Sequence, residues 1–127
     1  YAFGQASDMD KFAPKAVLTS VENNWGPYYV ERVKAVANGT WNQKDTWHGI
    51  GDGMVVISDL DSAIPGDVQA KVKKLQADLA SGKVHAFTGP IYDQKGNIMV
   101  ADGKTADDGM LAGMMTYVKG VEGDIPN

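Results

Sequence analysis

The chain has 127 residues, a formal net charge of −4 and no cysteine, enough for one modest core that buries roughly two thirds of the unfolded surface. Its even mix of charge signs offers no basic face for nucleic acid, and it holds no run of about 18 apolar residues to span a bilayer. Disulfides, thiolate metal sites and cysteine nucleophiles are excluded, while the compartment stays open between cytosol and periplasm.

Tyr1 to Phe3 reads as the end of a strand broken by Gly4, and residues 5–15 as a loop. With no initiator methionine in front of that strand end, the chain reads as a fragment or a processed product. Residues 16–21 are short, β-branched and bounded by Pro14 and by Asn23 and Asn24, which suits a buried strand. A helix is predicted to begin close to Pro27, since proline suits a first helical position. Tyr29, Val33 and Val36 give it one apolar face, and Gly39 supplies the stop. The loops before and after the strand at 16–21 then share one sheet edge, where small ligands bind in open α/β sheets.

Residues 40–53 form a connection carrying Trp41, Trp47 and His48, with room for a short strand. Residues 54–57 are apolar without alternation, as in a strand covered on both faces. A second helix is predicted over residues 67–81 from the stripe Val68, Val72, Leu75 and Leu79, with Gly82 ending it. Residues 84–87 read as another short strand. Residues 90–93 and 97–100 flank Gln94-Lys95-Gly96 as a β-hairpin. A last helix is predicted to open at Thr105, with Asp108 completing a capping box. Leu111, Met114, Met115 and Val118 would be its buried stripe, with Gly109 and Gly113 allowing close approach on the other flank.

Few residues promise chemistry. His48 and His85 lack metal-ligand spacing, Asp52, Asp59 and Asp61 do not match a calcium loop, and no phosphate-binding glycine loop is present. Ser20 has no nucleophile-elbow context. These patterns call for no cofactor and no metal. The candidate site instead gathers at the sheet edge: Ala6, Ser7 and Asp8 from the first loop, with Asn23, Asn24 and Trp25 from the turn. A side-chain amide presents a donor and an acceptor side by side, which matches the edge of a purine, and an indole offers a stacking face.

Several stretches carry a family resemblance. Residues 2–9 (AFGQASDM), 12–20 (FAPKAVLTS), 24–29 (NWGPYY), 52–55 (DGMV) and 87–91 (FTGPI) together resemble the C-terminal part of the basic membrane protein family. This family, also known as the purine nucleoside receptors, supplies substrate-binding proteins of ABC importers. The resemblance implies an α/β fold of the type I periplasmic-binding-protein class, a three-layer αβα architecture in which two lobes close on a ligand. Residues 1–127 would be the C-terminal portion of that two-lobed fold, mostly the C-terminal lobe with hinge-crossing segments, and apolar faces of the piece would stay exposed without the missing N-terminal part. The implied partners are a purine base or nucleoside and a membrane permease. The implied place is the periplasm or the outer face of the cytoplasmic membrane, with or without a lipid anchor.

Two departures from the family pattern bear on the ligand. Nucleoside-binding members resemble Gly-Val-Asp-Ser-Asp-Gln at the first loop, and the first aspartate there holds the ribose hydroxyls. Ala6 stands at that position and Asp8 matches the second aspartate. A lysine common in the turn after the Leu-Thr-Ser strand is replaced by Asn23. Both changes point to a free purine base, adenine-like, rather than a nucleoside. The resemblance implies a binding protein rather than an enzyme, since an enzyme acting on a purine would need a general base that only His48 or Asp8 could supply. The rival reading is a regulatory or sensory module built on the same fold.

Overall fold

The computed structural model describes residues 1–126. It is a mixed α/β chain that divides into two compact units, Tyr1–Gly82 and Lys83–Asn127.

The first unit is built on a three-stranded sheet of order β1-β2-β3, formed by β1 (Ala2–Ala6), β2 (Val17–Asn23) and β3 (Val55–Ile57). β2 is central because it carries the apolar, β-branched run, and Val17 and Ser20 on it are buried. β1 runs parallel to β2 with Ala6 opposite Glu22, so both strands deliver their carboxyl ends to one edge of the sheet. β1 continues through Gly4 to Ala6, correcting the expectation that Gly4 breaks it. The missing side chain is what permits the pairing: a Cβ on Gly4 would lie 2.2 Å from Ser20 Oγ and 2.9 Å from Met9 Cγ. The loop after β1 therefore starts at Ser7 and contains one 3-10 turn, Asp10–Phe12.

Ser20 is fully buried and organises this region. Its Oγ accepts from the Met9 amide at 3.2 Å and donates to Asp8 Oδ1 at 3.3 Å, while its own amide donates to Ser58 Oγ at 2.8 Å. A buried polar side chain is tolerated only when its hydrogen-bonding capacity is met in this way. Ser20→Ala would leave the Met9 amide without its partner. The expected cost is about 1–3 kcal/mol, measurable by urea denaturation with unchanged m-value.

Helix α1 (Trp25–Ala37) begins two residues before Pro27. This is close to the start read from the sequence: the first turn's amides have no intrahelical acceptors, so a proline at the third helical position loses nothing. Asn38 caps its far end and Gly39 takes φ 66°. None of its residues is buried: Tyr29 is 59 % exposed, Val33 68 % and Val36 64 %. The apolar face read from the sequence is real but largely exposed among the described residues. β3 pairs antiparallel with β2, Val55 opposite Asn23, and is an edge strand whose residues are half-buried, not a strand covered on both faces. Helix α2 (Gly66–Ala80) follows the predicted range within one residue, and Gly82 ends it at φ 70°.

The second unit contains the predicted hairpin, β4 (Ile91–Tyr92) against β5 (Ile98–Val100). Asp93 organises its turn: Oδ1 accepts from the amides of Lys95 and Asn97, and Oδ2 from Asn97 Nδ2, all at 2.8 Å. Gly96 supplies the positive φ, 85°. Gln94 Nε2 donates to the carbonyls of Val121 and Gly123 at 2.8 and 2.9 Å, tying the following chain to the turn.

The Asn97 side chain foremost holds the Asp93 carboxyl below its ordinary value; desolvation opposes it, and the two turn amides and the Lys95 charge add smaller lowering contributions. A depressed pKa makes the turn's contribution fully present above the unfolded carboxyl's pKa and lost as pH falls through the folded value. The Asn97 side-chain amide resonances should hold steady down through the ordinary aspartate range and move only on its acid side. A midpoint at the ordinary aspartate value would contradict the assignment.

Two further expectations are corrected here. Residues 84–87 form no strand, because no neighbouring strand pairs with them; pairing begins only at Thr88, in an isolated bridge to Thr105. That bridge takes Thr105 away from the helix, so α3 is the short Asp108–Ala112, capped by Asp107, whose Oδ1 accepts from the Met110 amide at 2.8 Å. Gly113 closes α3, leaving Met114, Met115 and Val118 outside it; Met115 is 79 % exposed and Val118 bridges to Asp93.

Candidate functional site

The sheet edge reached by the carboxyl ends of β1 and β2 carries the six residues singled out from sequence, and the structure distributes them unequally. Asn23 is the last residue of β2 and Trp25 the first of α1. Together with Tyr28 they line an open groove of about 500 Å³. Residues 44–48 of the long connection, Trp47 and His48 among them, line it as well, and Met54 and Val55 at the start of β3 complete the lining. The size and the aromatic lining suit a small flat ligand with room for solvent.

The two amides differ in availability. Asn24 Nδ2 donates to the Gly53 carbonyl at 3.1 Å and its backbone amide donates to Met54 O at 2.7 Å, so Asn24 fastens the turn to the segment before β3. It borders a shallower hollow of about 170 Å³ with Pro27, Glu31 and Asp52. Asn23 is exposed, and its side chain makes no hydrogen bond among the described residues. Its donor and acceptor are thus both open to a ligand. Trp25, 46 % exposed, stacks on Tyr29 with ring centroids 5.7 Å apart at 25° and meets Tyr28 edge-on at 5.6 Å.

Ala6, the last residue of β1, and Ser7 just beyond it are exposed. Ala6 takes φ 66°, the only positive φ at a non-glycine residue among those described, a backbone position that costs alanine on the order of 1 kcal/mol. Asp8 turns the other way: bonded to Ser20 and to the Asp10 amide, it lines a separate cavity of about 330 Å³ with Thr19, Ser58 and Asp61. The sequence reading thus joined residues that the structure brings together, Asn23 and Trp25, with one that faces another cavity. It passed over Tyr28, Trp47 and His48. Trp47 and His48 are carried by a segment whose arrival at the groove depends on β3 pairing with β2, which no local pattern announces. No group of His, Asp and Glu among the described residues is arranged to hold a metal ion.

The whole is an α/β chain with an aromatic, amide-bearing groove at the carboxyl edge of its parallel strands, the arrangement of a ligand-binding protein. The chain belongs to the family described as ABC transporter substrate-binding protein PnrA-like (Bmp), whose profile matches residues 1–88. It is 45% identical over 125 residues, 98% of its length, to a purine-binding protein of Brucella abortus, of which it covers 35%. It spans about a third of the length of the curated relatives it matches. Its structure is also similar to that of a transcriptional activator of the comK gene from Bacillus halodurans, with a TM-score of 0.60 over 68% of this chain and 30% of that one. At 19% identity this is a likeness of fold only. The family is one of substrate-binding proteins, and no helix among the described residues is long and apolar enough to cross a membrane.

Proposed function

We propose that this chain forms the C-terminal portion of an ABC-importer receptor that takes up a free purine base, adenine-like, in preference to a nucleoside and presents it to a membrane permease. The observation that carries the reading is the uncommitted Asn23 amide in a groove walled by indole and phenol rings. An amide can donate to and accept from a purine edge at once without bringing charge. The Brucella relative, described as purine-binding, supports the purine class. Ala6 supports the base over the nucleoside, because it puts a methyl group where nucleoside-binding members carry a carboxylate, and unpaired ribose hydroxyls buried there would cost about 1–3 kcal/mol each.

In this reading the ligand bridges two lobes, so binding favours the closed form that the permease recognises. In this reading Ala6, Ser7, Asn23, Asn24 and Trp25 lie at the rim of the closing cleft, while Asp8, bonded to Ser20, supports the first loop from behind; the receptor works in the periplasm or at the outer face of the membrane, where a lipid anchor would hold it. Calorimetric titration of the intact receptor with adenine and adenosine tests the ligand. Adenine is expected to bind about tenfold or more tightly than adenosine; the reverse order would overturn the preference.

A further inference from the structure

Trp25 is the indole that the sequence brings forward, yet in the folded chain one of its faces is already taken by the Tyr29 ring and its edge by Tyr28. Trp47, in the same groove, is 59 % exposed and makes no ring contact among the described residues. It belongs to the connection between Ala37 and Val55, which has no helix or strand of its own. Connections longer than about 12–15 residues without secondary structure are uncommon in compact domains, and those that occur are usually functional or disordered. Here the two flanks of the connection are held in place: the Thr40 and Trp41 amides donate to the Ala35 carbonyl, the Gly49 amide donates to Asp52 Oδ2 at 3.1 Å, the Met54 and Val55 amides donate to the Gly49 carbonyl, and Gly53 accepts from Asn24. Between these anchored flanks the connection presents a bare indole in the groove that the open amide of Asn23 also lines.

We propose that Trp47 is the stacking wall of the site and determines its selectivity for flat ligands, while Trp25 is packed into the start of α1. The inference rests on the purine reading of the groove. A heterocycle lying on the Trp47 indole covers apolar surface that is otherwise in water, and Asn23, which lines the same groove, supplies hydrogen bonds at the ring edge. Lys44, Asp45 and His48 line the same groove, but stacking needs none of their charges.

The test is adenine titration of the intact receptor followed by calorimetry and by tryptophan fluorescence. Stacking of a base on an aromatic side chain contributes on the order of 1–3 kcal/mol, so Trp47→Ala should weaken adenine roughly 5- to 150-fold. Trp47→Phe should keep most of the affinity but lose the fluorescence quenching, whereas Trp25→Phe should keep the quenching. Affinity in Trp47→Ala within about twofold of the parent, or quenching that survives in Trp47→Phe, would overturn the assignment. A parent receptor indifferent to adenine would overturn the purine reading and this inference with it; binding that ignores Trp47 would overturn this inference alone.

Discussion

Replacing Gly89 with alanine should be the most damaging single methyl addition in the Lys83–Asn127 unit, costing about 3 kcal/mol or more. A Cβ at this position would lie 2.0 Å from the carbonyl oxygen of Ala101 and 2.6 Å from that of Val100. Both obstacles are backbone atoms, so no rotamer change relieves them. The Gly89 segment cannot easily retreat either, because its amide donates to Lys104 O at 2.7 Å and Thr88 beside it is bridged to Thr105. Val100, at the end of β5, is one of the few buried apolar residues, so a shift of that strand also opens the core. Overpacking of a tight site costs about 1–3 kcal/mol when side chains can yield, and rigid backbone on both sides puts Gly89 at or above the upper end. Gly66→Ala provides the contrast. Nothing lies within 4 Å of its added methyl, and it opens α2, so it should be neutral or stabilising by up to about 1 kcal/mol. Thermal and urea unfolding of the intact receptor would separate the two, and equal melting of Gly89→Ala and the parent would refute the clash.

The same geometry explains which parts of the fold were legible. The Val17–Asn23 strand, the helix after it, α2 and the hairpin around Gly96 were readable because each carries its own signal: a β-branched run, an apolar stripe, a glycine with positive φ. What the sequence hid depended on partners distant along the chain. Gly4 looks like a strand breaker until Ser20 is set opposite it, when glycine becomes the residue that lets the strands meet. Residues 84–87 have the composition of a strand and no neighbour to pair with. Thr105 has the look of a helix cap, but its bridge to Thr88 leaves that task to Asp107. The groove shows the same division. Asn23 and Trp25 announce themselves through the strand-turn-helix pattern, whereas Trp47 and His48 come to line it with them only because Val55 pairs with Asn23.

Restoring the carboxylate at the first loop should change the ligand preference of the site. Ala6→Asp is predicted to raise adenosine affinity about 10- to 150-fold while leaving adenine within about twofold of the parent. The backbone favours the change: Ala6 sits at φ 66°, a region in which aspartate is several-fold enriched over ordinary residues, so the new side chain relieves strain rather than adding it. The position is exposed and opposite Glu22 in the β1–β2 register, at the end of the strands that leads to Asn23. Hydrogen bonds from hydroxyls to a charged acceptor contribute about 1.5–3 kcal/mol, which sets the expected range for a carboxylate gripping the ribose diol. Adenine has no ribose, so its affinity reports whether the groove itself was disturbed. Ala6→Asn separates charge from shape, since it adopts the same backbone but accepts only weakly, and it should recover little of the gain. If Ala6→Asp leaves adenosine binding unchanged while adenine still binds, the loop after β1 lies outside the ligand's reach, and discrimination against ribose must come from the walls of the groove instead.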